Sequence, residues 1–149
     1  MASEIEALIE RLEKATGPDR ELDRAIAVAV GRAPWDGERE WRWECGAWFH
    51  PDHPTRICLH FTRSADAALT LVPGDARVRE LGQWWDVNAP GGWFCSVMRW
   101  EYDAQARVVE RAYTFGFSED DSGKMPPTAP TAAIALCIAS LRARATQEK

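Results

Sequence analysis

FTRSADAALTLVP, at positions 61–73, decides the fold, because it predicts a short helix with a defined start and end inside a strand-rich region. Ser64 is the expected N-cap, since its hydroxyl can accept hydrogen bonds from the open amides of the first helical turn. Asp66 falls within that turn, where the helix dipole favours a negative charge. Pro73 ends the helix, because a proline disfavours helical geometry in the residue before it. The expected apolar face consists of Ala67, Ala68, Leu69 and Leu71, and a face this small can lie close to a sheet.

The composition is typical of one globular domain. The chain has 149 residues, of which 46% are hydrophobic and 28% are charged, and this is enough material for a real core. The net charge of −5 disfavours nucleic acid and anionic membranes as partners, because such binding depends on exposed lysine and arginine. Neither a signal-peptide pattern nor a long apolar run is visible. We therefore expect a cytoplasmic protein with reduced cysteines and no membrane contact.

Helical periodicity at both ends encloses strand periodicity in the middle. Apolar residues recur every three to four positions in the N-terminal and C-terminal segments, whereas the middle alternates with a period of two. Helices are predicted at 3–14, 18–30, 64–72 and from about 128 or 131, and strands at 41–45, 56–60, 83–87, 94–102 and 109–117, with loops at 74–80 and 88–92. This order predicts a single α+β domain over 1–149, in which an N-terminal helical hairpin, a short central helix and a C-terminal helix cover an antiparallel sheet.

Three blocks of the sequence resemble small bacteriophage and prophage proteins. They are RELD at 20–23 with AIAVA at 25–29, the TxSxDAALTLVP pattern at 62–73, and TAAIALCIASLRAR at 131–144. The chain is similar in these blocks to the group called phage ABA-sandwich domains. It departs from them at Ala132, where a proline is usual, and has Pro130 nearby instead. The resemblance implies a phage or prophage origin. It implies no active site, because that group has no agreed catalytic residues.

Two cysteines and two histidines stand close enough in sequence to suggest a metal site. Cys45, His50, His53 and Cys58 follow the pattern C-x4-H-x2-H-x4-C, and thiolate and imidazole are the donors that zinc prefers. The spacing matches no common zinc motif, and two prolines interrupt it. We therefore expect no metal and no cofactor, with buried thiols and loop histidines in these positions. Zinc binding is the alternative.

No catalytic residue is predicted. Cys95 would need a neighbouring base to act as a nucleophile, and no histidine follows position 60. Cys137 falls on the apolar stripe of the last helix, and Asp66 is explained by its place at a helix N-terminus. The sequence therefore favours a protein that is not an enzyme.

Tryptophan is the residue type in excess, with eight copies at positions 35, 41, 43, 48, 84, 85, 93 and 100. A domain of this size can hardly bury all eight, and exposed tryptophan is typical of binding hot spots. The apolar stripe of each helix is needed for the core. We therefore predict that the binding surface is formed by strand and loop tryptophans, namely Trp35, Trp48, Trp84, Trp85 and Trp93.

These observations predict a phage- or prophage-derived accessory protein that binds a host or phage protein in the host cytoplasm. Inhibition of a host defence nuclease is the sharper form of this hypothesis. One alternative is a module that stacks a sugar or nucleotide on exposed tryptophans, and another is a virion or packaging component. A flat apolar patch would favour a protein partner, and a concave aromatic pocket would favour a small ligand.

Overall fold

The computed structural model describes residues 2–33, 41–50, 57, 59–86, 89–116 and 128–147. This part of the chain contains four helices and two antiparallel sheets, which confirms the predicted α+β class. In chain order the elements are α1 (Ala2–Glu13), α2 (Arg20–Ala29), β1 (Arg42–Glu44), β2 (Ala47–Phe49), α3 (Ala65–Leu69), β3 (Ala76–Asp86), β4 (Ala89–Tyr102), β5 (Val108–Phe115) and α4 (Ala132–Gln147).

The core is organised around α4, which contacts α1, α3 and all three strands of the larger sheet. Eleven of its sixteen residues are buried, so the helix is surrounded on nearly every side. The sequence predicted a single apolar stripe on this helix, whereas the structure buries a wider part of its surface. The many alanines of α4 explain the difference, because small side chains let flanking elements approach the helix axis on faces without large apolar residues.

The two N-terminal helices form the predicted hairpin. Leu8 and Leu12 of α1 are buried, as the helical period requires. Helix α2 begins after Asp19, whose carboxylate accepts hydrogen bonds from the amides of Glu21 at 2.8 Å and Leu22 at 3.2 Å. Pro18 was expected to open this helix, but it lies outside it, because the Asp19 carboxylate satisfies the first open amides and makes Asp19 the N-cap.

The stretch at 61–73 folds as predicted at its start. The Ser64 hydroxyl accepts a hydrogen bond of 3.2 Å from the amide of Ala67, and α3 follows. Ala68 and Leu71 are completely buried, whereas Leu69 is exposed. The predicted apolar face was therefore too wide. Each helical residue is rotated by about 100° from the one before it, so Leu69 points away from the face that Ala68 and Leu71 share.

Strands β1 and β2 form a small hairpin that packs on the helices. Cys45 and Gly46 connect the strands with φ values of +52° and +76°, the left-handed geometry of a two-residue hairpin turn. Trp48 of β2 exchanges backbone hydrogen bonds with Ile57 at 2.9 and 3.0 Å. A strand was predicted at 56–60, but Ile57 forms only this single bridge and residues 59 and 60 are not in a strand. Residues 51–56 and 58 lie outside the described part of the chain.

The larger sheet has the strand order β3-β4-β5. The β4–β5 hairpin is confirmed, with an unbroken register from Tyr102 opposite Val108 to Cys95 opposite Phe115. The loop predicted at 74–80 is wrong, because β3 begins at Ala76. A register shift after position 78 interrupts the two-residue alternation of β3. The sequence of this segment therefore lacks the regular alternation of apolar and polar residues that predicts a strand.

The turn predicted at 88–92 is shorter than expected. Residues 89–92 belong to β4, and strand pairing continues to the end of the hairpin, where Asp86 lies opposite Ala89. The proline and glycines of this segment suggested a turn because they are poor strand formers. Pro90 is tolerated here because it stands at the start of the strand. Residues 87 and 88 lie outside the described part.

Candidate functional site

The larger sheet has one face packed on α4 and a second face turned away from it. Cys95 and Val97 of β4 and Phe115 of β5 belong to the core. Strand side chains alternate between the two faces, so Trp100 and Tyr102 of β4 point to the opposite face. No element in the described part of the chain covers these two rings. We refer to this side of the sheet as its outer face.

Three large apolar side chains are exposed together on the outer face. Trp100 is 59% exposed, Tyr102 is 76% exposed and Val108 is 58% exposed. Trp100 and Tyr102 are two residues apart on β4, and Tyr102 lies directly opposite Val108 on β5, so the three side chains are adjacent. We call these three residues the aromatic patch. Its surface is not used by the core and is available to a partner.

Charged side chains flank the aromatic patch on the same face. Arg79 Nη1 and Glu110 Oε1 form an exposed ion pair at 2.9 Å, and Glu110 lies opposite Trp100. Arg77, which is opposite Met98 in the sheet, is exposed as well. Tryptophan, tyrosine and arginine are the residue types most enriched at interface hot spots. The outer face therefore combines the three residue types that dominate protein-binding surfaces.

Arg99 anchors the strand that carries the aromatic patch. Its side chain is buried on the α4 side of the sheet, where Nε donates to Glu101 Oε1 at 2.5 Å. The Nη1 atom donates to the carbonyl oxygen of Ala143 at 3.0 Å, and Nη2 donates to the Thr146 hydroxyl at 2.7 Å. These bonds join the end of β4 to the last turns of α4. The strand that carries the aromatic patch is therefore held in position by contacts with α4 on the opposite face of the sheet.

Glu101 is the acceptor at the centre of this support. Partial burial alone would raise its pKa. The hydrogen bonds from Tyr113, at 2.5 Å, and from Arg99 lower it, and so do the positive charges of Arg99 and Arg111. The net result is a pKa of Glu101 below its usual value. The carboxylate is therefore charged at neutral pH and holds the arginines in place.

A second polar cluster joins α2 to the segment that precedes α3. Asp23 is only 1% exposed. Its Oδ1 atom accepts hydrogen bonds from the amide and the hydroxyl of Thr62, at 2.7 and 2.8 Å, and its Oδ2 atom accepts from Arg20 at 2.6 Å. Arg20 also donates to the carbonyl oxygens of Leu59, at 2.7 Å, and Gly46, at 3.0 Å. Both carboxylate oxygens are thus occupied, so this cluster is a structural connection.

The structure places two of the five predicted binding tryptophans in or against the core. Trp48 is 4% exposed, so the expectation that its ring is at the surface is wrong. Backbone pairing holds it between Trp43 and Ile57, and its side chain belongs to the core. Trp93 is half-buried and packs against the core.

The other three predicted tryptophans lie wholly or partly outside the described residues. Trp84 and Trp85 belong to β3, but their side chains are outside the described part, and so is all of Trp35. Their role in binding stays a prediction. Sequence reasoning missed Trp100 as an exposed residue. Its neighbours Arg99 and Glu101 are charged, and two-residue alternation alone could not show that these charged residues, and not Trp100, face α4.

The two buried thiols, Cys95 and Cys137, do not suit nucleophilic chemistry. Burial raises the pKa of the Cys95 thiol to about 12. Cys137 donates a hydrogen bond of 3.3 Å to the carbonyl oxygen of Phe61, and its pKa is raised by burial first and by the nearby Asp23 and Cys95 second. The thiolate is the reactive form of cysteine, so both thiols behave as core residues.

The four candidate metal ligands are only partly described. Cys45 is exposed in the β1–β2 turn. His50 is buried, with its ring centroid 5.1 Å from that of Trp41. His53 and Cys58 lie outside the described residues. Within the residues that the structure describes, no group of three or more histidine, cysteine, aspartate or glutamate side chains could hold a metal ion. The expectation of no metal site stays a prediction.

Comparison with known proteins gives no relative, since no family model, no curated protein and no solved structure matches this chain. The resemblance to phage proteins therefore stays a prediction from the sequence. Among the helices of the described ranges, none combines the length and the apolar character needed to cross a membrane.

Proposed function

We propose that this protein acts by binding another protein, without catalysis of its own, and that the aromatic patch is the centre of the contact. One observation carries the proposal. Trp100 and Tyr102 lie side by side on a sheet face and are more than half exposed. Aromatic rings bring a large contact area and lose little side-chain entropy on binding, so rings held in this way are suited to be hot spots.

The shape of the surface favours a protein partner over a sugar or nucleotide. The patch lies at the exposed end of the outer face, where it can meet another surface, whereas Ser96 and Met98 farther along the same face are buried. A depression of about 620 Å³ between α1 and α2 has no aromatic side chain in its lining. Another, of about 510 Å³ beside Arg99, has Trp100, Tyr102 and Tyr113 in its lining together with six charged or polar residues. The first lacks the aromatic lining expected of a stacking site, and the second is mostly charged and polar where a ligand pocket is mostly apolar.

The sequence resemblance supports a more specific form of the proposal. It favours a phage- or prophage-derived accessory protein that meets a host or phage protein in the host cytoplasm. Inhibition of a host defence nuclease is the sharpest version. The net charge of −5 favours a protein over a nucleic acid as the partner, since it would repel a phosphate backbone.

The test is a capture experiment with matched variants. Tagged parent protein, Trp100→Ala and Tyr102→Ala are used as baits in an extract of the cells that carry the gene, and retained proteins are quantified by mass spectrometry. Val28→Ala is the control, because Val28 is 61% exposed on α2 and lines the depression between α1 and α2, which contains no residue of the sheet. We expect one protein to be retained by the parent and by Val28→Ala and to be depleted with both patch variants.

The same partner is then purified and its affinity measured by calorimetry. Loss of a hot-spot ring typically costs about 2 kcal/mol or more, which corresponds to a dissociation constant raised roughly 30-fold. A partner that binds the parent and both patch variants equally, but not Val28→Ala, would place the contact on the helices and refute the proposal.

A further inference from the structure

Strand β5 forms one edge of the larger sheet and continues directly from the aromatic patch. In the described part of the chain it pairs with β4 alone. Its residues Val108–Phe115 contain neither glycine nor proline, and its register with β4 has no shift. By contrast, β3 at the other edge carries two register shifts. A regular, extended edge of this kind is the template that strand addition requires.

The hydrogen-bond pattern shows which backbone groups of β5 point away from the sheet. The Asp103 amide donates to the Arg107 carbonyl oxygen at 2.9 Å, and hydrogen-bonded and non-hydrogen-bonded pairs alternate along an antiparallel ladder. It follows that Val108, Glu110 and Ala112 are in non-hydrogen-bonded pairs with β4. Their N–H and C=O groups are therefore directed outward.

These outward groups are accessible over one half of the strand. Val108, Glu110 and Ala112 are exposed residues, and no described residue bonds to their outward backbone groups. The next outward carbonyl, that of Thr114, accepts a hydrogen bond from Arg142 of α4, so α4 closes the edge at that point. The open edge thus extends from the β4–β5 turn to Ala112, and its exposed end lies beside Tyr102.

We propose that the partner binds by adding an extended, antiparallel segment to the β5 edge, with a basic side chain opposite Glu110 and an acidic side chain opposite Arg111. This inference rests on the proposed function and specifies how the partner is held. Glu110 points to the outer face and is 36% exposed, whereas Arg111 points to the α4 side and is 59% exposed. Each charge already forms an ion pair within the chain, Glu110 with Arg79 at 2.9 Å and Arg111 with Glu101 at 2.8 Å. Exposed pairs of this kind contribute at most about 1 kcal/mol, so each charge can also interact with an opposite charge in the facing position of the incoming strand.

The same two charges argue against a second copy of this chain as the occupant. In a two-fold antiparallel pairing that uses all three outward residues, Glu110 would face Glu110 of the second copy. Sliding the pairing by two residues would place Arg111 opposite Arg111 of that copy in one direction and Arg107 opposite Arg111 in the other. Like charges in facing positions are destabilising, so the edge disfavours all three self-pairings and accepts a segment with the complementary pattern.

The test uses two synthetic nine-residue peptides with the same composition. The first has lysine opposite Glu110, glutamate opposite Arg111 and tyrosine opposite Val108, and the second has the lysine and glutamate exchanged. Amide hydrogen exchange of the full chain is followed by NMR with each peptide at 2 mM. With the first peptide we expect exchange at Val108, Glu110 and Ala112 to slow at least about tenfold, and with the second we expect a dissociation constant at least about fivefold higher.

A proline variant separates strand addition from other contacts. Ala112→Pro removes an outward N–H that β4 does not use, and Ala112→Val is the control that keeps it. We expect the first peptide to bind Ala112→Val like the parent and Ala112→Pro at least about tenfold more weakly, with both variants folded by circular dichroism. If Ala112→Pro unfolds, Val108→Pro tests the same point, with Val108→Ala as its control because Val108 also belongs to the aromatic patch; we expect Val108→Pro to bind the first peptide at least about tenfold more weakly than Val108→Ala.

Three results would overturn the inference. The first is unchanged exchange at the three outward amides with the first peptide, and the second is equal binding of the two peptides. The third is self-association of the free protein in sedimentation, together with slow exchange of these amides without any peptide. These outcomes are distinct from failure of the proposed function. A partner that loses affinity with Trp100→Ala but binds Ala112→Pro normally would leave the patch in place and exclude strand addition.

Discussion

Arg99 donates a hydrogen bond of 3.0 Å to the carbonyl oxygen of Ala143, and this contact ties the strand of the aromatic patch to the last turns of α4. The arginine side chain is almost completely buried. Its next neighbour in the chain, Trp100, is exposed on the opposite face. One strand therefore carries the anchor on one side and the proposed contact on the other.

Replacing Arg99 by Ala should lower the free energy of unfolding by about 3 kcal/mol, because a buried guanidinium and its hydrogen bonds to Ala143 and Thr146 are lost. Glu101 loses one partner and keeps the hydrogen bond from Tyr113 and the ion pair with Arg111. Urea denaturation measures the change. Arg107→Ala is the matched control, since Arg107 forms an ion pair with Asp103 at 2.9 Å and is largely exposed, and exposed pairs contribute at most about 1 kcal/mol. Equal losses for the two variants would contradict the anchoring role.

Glu101 should make part of the stability depend on pH. Its pKa is lowered in the folded protein, so it stabilises the fold above its unfolded pKa of about 4.3. This contribution is lost as the pH falls through the lower folded pKa. We expect Glu101→Gln to be less stable than the parent at pH 7, and the gap to narrow as the pH falls below about 4. A gap that is constant from pH 7 to pH 3 would show that the charge of Glu101 is unimportant.

Asp23 should be among the most sensitive residues to substitution. Asp23→Ala removes the acceptor for Thr62 and for Arg20 in a buried position, and we expect a loss of about 3 to 5 kcal/mol in the free energy of unfolding. Glu10→Ala, an exposed acidic residue on α1, should change it by no more than about 0.5 kcal/mol. Thermal and urea unfolding of both variants decide the point, and a loss below 1 kcal/mol for Asp23→Ala would refute it.

The helices and the long β4–β5 hairpin were predictable from the sequence, because their signals are local. The capping hydroxyl of Ser64 and the alternation along 94–102 need no knowledge of the rest of the chain. The start of β3 was not predictable, since its register shift removes the two-residue period that marks a strand. Polar clusters such as Asp23 with Thr62 depend on residues 39 positions apart, which no local pattern reveals.

The presence of an exposed tryptophan was predictable from the sequence, but its position was not. The excess of tryptophan correctly indicated that some rings would be exposed. Which rings these are depends on the face of each strand that meets α4. The charged residues Arg99 and Glu101 face α4 because they are paired with each other and bonded to α4, Tyr113 and Arg111. Trp100 is exposed as a consequence.

Trp48 and Trp100 should respond in opposite ways to truncation. Trp48→Ala removes a buried ring and should cost about 3 to 5 kcal/mol of unfolding free energy. Trp100→Ala removes an exposed ring and should cost less than about 1 kcal/mol. Chemical denaturation of the two variants under identical conditions measures both. A larger loss for Trp100→Ala than for Trp48→Ala would mean that the ring of Trp100 serves the fold.

The role of the outer face in binding is tested by the affinity of Trp100→Ala for the captured partner, measured by calorimetry beside that of the parent. We expect a variant that is folded like the parent and binds the partner about 30-fold more weakly or worse, while Val28→Ala binds normally. Unchanged affinity of the folded Trp100→Ala variant, with unchanged affinity of Tyr102→Ala, would contradict the claim that the outer face of the sheet is the binding surface.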